Sequence, residues 1–326
     1  MNVNKHKFTK DNVEAASPAL QRLQETLTEH KVGLDITRPM PALSLRNRLY
    51  SAIPQLQTHS LKEILLAGDA GATAKVLATV LDAATDPNVT IGRRLCPVIY
   101  TDNSSVKIPI AAAGQHDWGE PKREAEETTS FVTINVQKSS GLANILKDMI
   151  EDAEWDIVER QLRELGRAAF EFQSNYVIDT MVTNAGNTDT ADSSGVLDLV
   201  DIADMYALMK ADNCEPDVIV VNPTEQADLV KDTTLHNYLN WRQLGPLGQG
   251  SVIPYIGNMK LEVSNLLASG TALLVDTRRA GALVIRRDIT IAQYDDVVND
   301  LVALPCTQRW NFDELDANGI GTITTA

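Results

Sequence analysis

Two short runs in which every second residue is apolar predict a pair of β-strands in the first half of the chain. Val106–Ile110 forms one run and Val132–Val136 the other, with polar residues or proline between the apolar positions. Alternate side chains of a strand lie on one face, so each run predicts a half-buried strand. The polar segment Gly114–Ser130 between them is too long for a tight turn. We therefore expect a hairpin whose extended tip needs a surface outside its own domain.

A second pattern, in which apolar residues recur every three to four positions, predicts a long amphipathic helix after the hairpin. Its apolar stripe begins at Leu142 and Leu146, continues through Ala153 and ends near Tyr176. The opposite face carries pairs of opposite charge spaced by four residues, which stabilise exposed helices: Asp156 with Arg160, Glu159 with Arg163, and Arg167 with Glu171. A helix of about 30–40 residues would measure roughly 45–60 Å, which favours a structural spine over an ordinary core helix.

The remainder of the chain alternates predicted strands and helices, which is typical of an α/β arrangement. The polar segment Asn184–Gly195 is predicted to be a loop and a domain boundary. A helix is predicted through Leu199–Met209, and Asn222 or Thr224 is expected to cap another helix that follows a buried strand. The predicted strands are Asp217–Val221, Met259–Val263, Thr271–Val275, Leu283–Arg286, Leu301–Leu304 and Gly321–Thr324, the last two returning to an earlier sheet.

Residues 1–94 show no dense apolar pattern, and proline and glycine interrupt the helices predicted there. One of these helices is expected over Ala74–Ala84, with Thr73 as its N-cap. An extended arm fits this segment better than an independent domain.

Composition indicates a protein with a sizeable core and no membrane span. The chain has 326 residues, of which 44% are hydrophobic, and no apolar run approaches the ~20 residues that a membrane helix needs. The polar amino terminus lacks the pattern of a secretory signal, so a soluble protein is expected. Cys96, Cys214 and Cys306 are far apart and form no CxxC pair, which favours buried free thiols.

Charge is divided unevenly along the chain. Residues 1–94 hold 12 Lys and Arg against 9 Asp and Glu, a balance of +3, whereas the whole chain carries −15 and the rest therefore −18. A protein that reads nucleic-acid sequence would show a basic face instead. The front segment is therefore either a solvated arm or a mildly basic surface for a polyanion.

Motifs for common catalytic chemistries are missing from the sequence. It contains no GxxxxGK[ST] phosphate loop, no GxGxxG, no GxSxG elbow and no HExxH zinc pair. The acidic residues between Asp295 and Asp316 lack the spacing of a calcium loop, which favours a solvated surface. His116, beside Trp118 in a polar loop, favours surface or interface packing over a catalytic role.

The loop at the hairpin tip combines both signs of charge with one aromatic residue. Its candidate interface residues are Trp118, Glu120, Lys122, Arg123, Glu124, Glu126 and Glu127. Mixed charges beside an aromatic anchor are typical of the rim of a protein interface. The residues alone leave two interpretations open, a solvated tip and ion pairing with a neighbouring subunit.

The order of these features resembles the major capsid proteins of tailed phages and related archaeal viruses, which share the Hong Kong 97 fold. The resemblance covers roughly residues 95–325 and depends on the order of its motifs. The segments that carry it are Trp118–Pro121, Phe131–Lys138, Leu142–Ala153, Asp217–Thr224, Tyr255–Val263, Ala272–Asp276, Ala282–Arg286 and Gln308–Phe312.

The resemblance implies an α+β fold in four parts. Residues 1–94 would form an amino-terminal arm and 95–141 an extended loop hairpin. The spine helix and peripheral domain would occupy 142–195, with 301–326 returning to them, and an α/β axial domain 196–300. Family members that form covalent crosslinks use a lysine and an asparagine. Lys122 is the nearest loop lysine, but no asparagine partner is identified, so this activity is not carried over.

The resemblance also implies a function. The chain would be a structural protein without enzymatic activity or cofactor, forming pentamers and hexamers of an icosahedral shell around double-stranded DNA. It would be part of the virion and would be assembled in the host cytoplasm, without a membrane. Portal, scaffold or decoration proteins would be further partners. Its extended loop would lie over a neighbouring subunit. From the charge division we expect Arg93 and Arg94 to line the interior, facing DNA without sequence readout.

Two alternatives remain open at this point. One is an encapsulin, a cellular compartment with the same fold that holds protein cargo in place of a genome. The other is a soluble α/β enzyme that binds a metal through the acidic residues around Asp295.

Overall fold

The computed structural model of the chain describes residues 70–110, 130–148, 156–192, 195–232, 255–292, 294–296 and 299–325. The helices within these ranges are α1 (Ala70–Leu81), α2 (Asp156–Thr183), α3 (Leu199–Ala211) and α4 (Pro223–Lys231). The strands are β1 (Val98–Tyr100), β2 (Ser105–Ile110), β3 (Ser130–Asn135), β4 (Gln137–Leu146), β5 (Asn187–Thr190), β6 (Val218–Val221), β7 (Tyr255–Ile256), β8 (Met259–Val263), β9 (Thr271–Val275), β10 (Gly281–Ile291), β11 (Tyr294–Asp296), β12 (Leu301–Glu314) and β13 (Ile320–Thr324).

A five-stranded sheet is built around β12, the longest strand in these ranges. On one side β12 pairs antiparallel with β10 and with the short β11, and on the other it pairs antiparallel with β4. β1 extends the sheet by pairing parallel with β10. Residues 301–304 pair with 146–143, so the predicted return of this late strand to an earlier sheet is confirmed.

Alternating burial along β12 gives this sheet two different faces. The even-numbered residues of β12 from Val302 to Phe312 are buried, and the odd-numbered residues are partly exposed. On the even face, α2 packs closely, with Trp310 in edge-to-face contact with Phe172 and Tyr176 at centroid distances of 6.0 and 5.4 Å. We call this the helix face, and the opposite side the hairpin face.

The predicted hairpin is confirmed and lies on the hairpin face. Val106 pairs with Ile134 and Ile108 with Val132, so the apolar sides of β2 and β3 coincide. Buried Ile134 packs with Val284 of β10 in a small apolar cluster. The hairpin is therefore anchored by its inner surface, while its outward residues are exposed.

The predicted start of the long helix is wrong. Leu142 and Leu146 lie in β4, and α2 is described from Asp156. Their four-residue spacing suits a strand as well as a helix, because both positions of β4 lie on the hairpin face. The intervening Ile145 lies on the helix face and is fully buried. The 28 residues of α2 still make a rod of about 42 Å, and two predicted charge pairs form on it, Glu159 with Arg163 and Arg167 with Glu171.

Gly166 allows α1 to pack closely against the middle of α2. A Cβ atom at this position would overlap the carbonyl oxygen of Val80, which is backbone and cannot rotate away. Glycine in a helix costs about 1 kcal/mol relative to alanine, so the close approach has a local cost. The helix that was predicted over Ala74–Ala84 with Thr73 as its cap is instead described from Ala70, so that it includes Thr73, and it ends at Leu81.

We expect Gly166→Ala to lower the free energy of unfolding by about 1–2 kcal/mol, because overpacking outweighs the gain in helix propensity. Urea unfolding of dissociated subunits, followed by tryptophan fluorescence, measures the change. Ala168→Gly at an exposed position of α2 is the matched control and should cost about 1 kcal/mol from propensity alone. A Gly166→Ala subunit more stable than the wild type would contradict the close packing of α1 on α2.

A six-stranded sheet forms the second half of the structure, in the order β5-β13-β9-β6-β8-β7. The predicted strands Met259–Val263 and Thr271–Val275 are confirmed at both ends. Asn222 caps α4 by accepting a hydrogen bond from the Thr224 amide at 3.1 Å, which confirms the first of the two predicted caps. The prediction that Asn184–Gly195 is wholly a loop is wrong, because β5 pairs parallel with β13 there.

The two sheets share one apolar core. Val275 and Ile320 of the six-stranded sheet pack with Leu283 and Phe312 of the five-stranded sheet and with Met181 of α2. A second cluster lies between the other face of the six-stranded sheet and α3. The described parts are therefore packed as one body from which the hairpin projects, and the predicted domain limits stay a prediction. None of the helices in the described ranges is long and apolar enough to cross a bilayer.

Candidate functional site

Arg93 occupies a buried position between α2 and β10. Its two terminal nitrogens donate to the carboxylate of Asp288 at 3.0 and 2.9 Å, and its Nε donates to the side-chain oxygen of Gln173 at 2.6 Å. The guanidinium also lies 4.8 Å from the ring centroid of Phe170. A planar fork that meets a carboxylate with two hydrogen bonds is the strong geometry for an ion pair.

The surroundings of Arg93 keep its guanidinium charged. Burial lowers the pKa of Arg93. The charge of Asp288 and the hydrogen bonds to it raise the pKa by more than burial lowers it, so the net shift is upward. Only 14% of the Arg93 side chain and 6% of the Asp288 side chain are exposed. The pair therefore links the segment before β1 to the spine helix and the sheet.

Arg94 is also held within the chain. Its two terminal nitrogens donate to Glu262 of β8 and to the carbonyl of Pro87, both at 2.6 Å. The predicted orientation of Arg93 and Arg94, facing DNA in a shell interior, stays a prediction. Their positive charges, however, are already balanced by carboxylates of the same chain, which sequence spacing could not reveal.

The candidate residues of the loop, from Trp118 to Glu127, lie outside the described residues. The structure instead shows the platform that carries them, since the described hairpin ends at Ile110 and Ser130. Their role at a subunit interface stays a prediction.

Exposed apolar side chains lie on β4, at the edge of the five-stranded sheet, and on strand β3 of the hairpin. Leu142 and Leu146 of β4 are 59% and 51% exposed, and Phe131 of β3 is 60% exposed. Within the described ranges β4 pairs only with β12, so its other edge presents backbone groups that another strand or chain could bind. The exposure of Leu142 and Leu146 was not predictable from the sequence, because their four-residue spacing also fits the buried stripe of a helix.

An open cleft of about 620 Å³ runs between β4 and the first turns of α2. Its lining includes the apolar residues Leu142 and Leu165 and the charged residues Arg160 and Glu164. A shallow mixed surface of this kind suits a macromolecular partner better than an enclosed small-molecule site.

The three cysteines are free and buried, as predicted. Burial raises the pKa of the Cys96 thiol and of the Cys306 thiol to about 12. Thiols of this kind stay protonated and unreactive near neutral pH. In the ranges that the structure describes, no three His, Cys, Asp or Glu side chains come together to hold a metal ion.

Comparison with known families gives one match. The model of the phage capsid protein family matches residues 131–304, which is more than half of the chain. The matched range begins in β3, includes α2 and most of both sheets, and ends within β12. No curated protein sequence matches the chain.

Among the solved structures with a similar fold are two capsids and an encapsulin complex. The capsid of the cyanophage P-SCSP1u is 15% identical, with a TM-score of 0.57 over 71% of this chain and 86% of that one. The capsid of the native GTA particle is 12% identical, with a TM-score of 0.59 over 74% and 91%. The holo-SrpI encapsulin complex from Synechococcus elongatus is 12% identical, with a TM-score of 0.54 over 72% and 86%. At these identities the likeness shows the fold, and the predicted α+β, Hong Kong 97-like fold is confirmed.

Proposed function

The chain belongs to the phage capsid protein family, and from that premise we propose that it forms the pentamers and hexamers of an icosahedral shell around double-stranded DNA. The family makes it a shell-forming capsid protein and a component of the virion. Family and fold point to a structural role, not an enzymatic one. Beyond this, we propose the arrangement of the subunits in pentamers and hexamers, the packaging of double-stranded DNA and assembly in the host cytoplasm.

The family match carries this proposal, because it extends over the spine helix and most of both sheets. The exposed residues add support. A solitary subunit would leave Leu142 and Leu146, on the same face of β4, largely in water, and neighbouring exposed apolar side chains mark interaction surfaces. The two strands of the hairpin are also joined by a polar segment, residues 111–129, that contains both signs of charge.

Assembly into a shell does not require strong individual contacts. A stable protein interface buries about 1,600 Å² in total, and a shell subunit makes several such contacts at once. Simultaneous engagement raises the overall affinity well above that of one interface. Weak single contacts also let misplaced subunits leave, so the apolar edge and the charged loop need only modest affinity each.

Packaged DNA would be held by its phosphates, without reading of its sequence. The acidic body, with −18 outside residues 1–94, repels a polyanion, so we place the mildly basic front segment toward the interior. Since Arg93 and Arg94 are balanced by Asp288 and Glu262, the other cations of residues 1–94 would supply most of the attraction. A density map with this segment on the outer surface would contradict the assignment.

We expect the full chain, expressed alone, to form closed particles of megadalton mass, measured by light scattering after size-exclusion chromatography and by negative-stain electron microscopy. Particles from the native source should protect double-stranded DNA from added nuclease. A monomer or small oligomer at every protein and salt concentration would refute the shell. Native particles that hold protein and no nucleic acid would instead favour a compartment like the similar encapsulin.

A further inference from the structure

Three basic residues form a row across the hairpin face of the five-stranded sheet. Lys138 of β4 pairs with Arg309 of β12, and Arg309 pairs with Arg287 of β10. Residues directly opposite each other share a face, with Cβ atoms about 4.5–5.5 Å apart. Arg309 is an odd-numbered residue of β12, which places the row on the side away from α2. We call Lys138, Arg309 and Arg287 the basic row.

The basic row has no counter-charge within the described part of the chain. None of its members forms an ion pair with a described carboxylate, whereas Arg93, Arg94 and Arg279 each do. The acidic neighbour in β10, Asp288, binds Arg93 between the sheet and α2. The row therefore concentrates three positive charges in a chain whose net charge is −15.

Neutral side chains adjoin the basic row along β12. Two residues from Arg309 in one direction, Asn311 donates a hydrogen bond to the base of the hairpin. Two residues away in the other direction, the hydroxyl of Thr307 lies 2.9 Å from the hydroxyl of Thr290. Two residues of strand span about 6.6 Å, so the groups next to the row on this strand are an amide and hydroxyls, which can donate hydrogen bonds to an anion.

Arg287 shows most clearly that the row lacks an anion. Its side chain is partly buried, and its Nε is shielded from water without a hydrogen-bond partner among the described residues. Burial lowers the pKa of Arg287, and the positive charges of Arg309 and Arg286 lower it further. Because like charges directly opposite on a sheet are destabilising, a bound anion would relieve the repulsion between the strands.

We infer that the basic row binds a phosphate group, held by the guanidinium groups of Arg309 and Arg287 and by the ammonium group of Lys138. Guanidinium groups bind phosphate oxygens through paired hydrogen bonds. Three long side chains can converge on one anion because their Cβ atoms are only about 5 Å apart from strand to strand. A phosphate suits three cations better than a carboxylate does, because it carries more negative charge and more oxygen acceptors. Free phosphate and the phosphodiester groups of DNA offer the same chemistry, so the site does not depend on the proposed shell.

Thermal unfolding of the full-length wild type tests the site directly. The midpoint is compared in inorganic phosphate and in sodium chloride at equal pH and ionic strength. A ligand that binds only the folded state raises stability as its concentration rises, and we expect a saturable increase of about 2–4 °C in phosphate. Sodium acetate at the same ionic strength supplies a carboxylate probe and should leave the midpoint as it is in chloride.

Two full-length variants locate the response. The row variant Lys138→Gln/Arg309→Gln removes two of the three charges, and phosphate should no longer raise its midpoint. The matched control Lys107→Gln/Lys231→Gln removes the same charge at exposed positions away from the row and should keep the response of the wild type. Circular dichroism confirms that each variant is folded.

A labelled DNA duplex distinguishes the two sources of phosphate, with binding followed by fluorescence anisotropy at fixed salt. An affinity at least fivefold lower for the row variant than for the control assigns the site to DNA phosphodiesters. Equal affinity of the two variants, together with the thermal response, assigns it to free phosphate.

Three results would overturn the phosphate site. The first is a wild-type midpoint that is the same in phosphate and in chloride, which needs no variant to interpret. The second is an equal response to acetate, which would make the row a site for the carboxylates of a protein partner. The third is a phosphate response that survives in the folded row variant. The proposed shell stands or falls separately, on whether the wild type forms particles.

Discussion

Replacing Asp288 by alanine is expected to lower the free energy of unfolding of the subunit by roughly 3–5 kcal/mol. The substitution removes the carboxylate that meets both terminal nitrogens of Arg93 and leaves a guanidinium in a site where only 14% of its side chain is exposed. A buried charge without a partner loses hydration and gains nothing in return. The contact of Arg93 with Gln173 and the Phe170 ring cannot replace a full opposite charge.

The effect would be structural as well as energetic, because Arg93 joins three parts of the fold. Asp288 belongs to β10, Gln173 belongs to α2, and Arg93 itself precedes β1. Loss of the pair would loosen the segment that precedes β1. Ser174 also holds this segment, because its hydroxyl accepts a hydrogen bond from the Gly92 amide and donates one to the carbonyl of Val89. Urea unfolding of dissociated subunits measures the change in free energy.

Two further variants test whether the unpaired charge of Arg93 causes the loss of stability. Arg93→Met/Asp288→Leu removes both charges and should recover most of the stability, since well-packed apolar residues often replace a buried ion pair without cost. Glu159→Ala removes the exposed partner of Arg163 and should change stability by no more than about 0.5 kcal/mol. If Asp288→Ala were as mild as Glu159→Ala, the pair would not be a buried stabilising contact.

Local patterns predicted the parts of the fold that depend on neighbouring residues. The alternation from Val106 and from Val132 gave the correct pairing of β2 with β3, since the period of two determines which side chains face the core. Asn222 was identifiable as a helix cap because it directly precedes Pro223, a residue favoured in the first turn. These features arise from local backbone preferences, which a single sequence contains.

Features that depend on distant residues could not be predicted in this way. Leu142 and Leu146 fit a helical stripe, and only pairing with residues 301–305 makes their segment a strand. Arg93 seemed free to meet DNA because its partner Asp288 is remote in sequence. The basic residues Lys138, Arg309 and Arg287 could not be grouped for the same reason, since they are adjacent only after three strands pair. Tertiary pairing, not local preference, decides each of these cases.

Deleting Gly114–Glu127 is expected to abolish closed shells while the subunit stays folded and soluble. The described core, from the cluster around Met181 to the anchored hairpin strands, lies outside the deleted segment. Shortening a loop also changes the entropy of closing it only slightly. The deletion would remove Trp118 and all the loop carboxylates together, and with them the proposed contact of each subunit with its neighbour. Because a shell multiplies its contacts, losing one from every subunit has a much larger effect on assembly than on any single interface.

Light scattering and negative-stain electron microscopy would measure this loss, and circular dichroism with urea unfolding would show that the subunit is intact. A variant with a Gly–Ser segment of equal length in place of Gly114–Glu127 is the matched control for loop length, and it should also fail to form shells. If that variant assembled, the loop would act only as a spacer, and its charges and Trp118 would have no part in docking. If the deletion itself formed closed shells, the hairpin tip would not join subunits, and β4 with its exposed leucines would become the leading candidate for the interface.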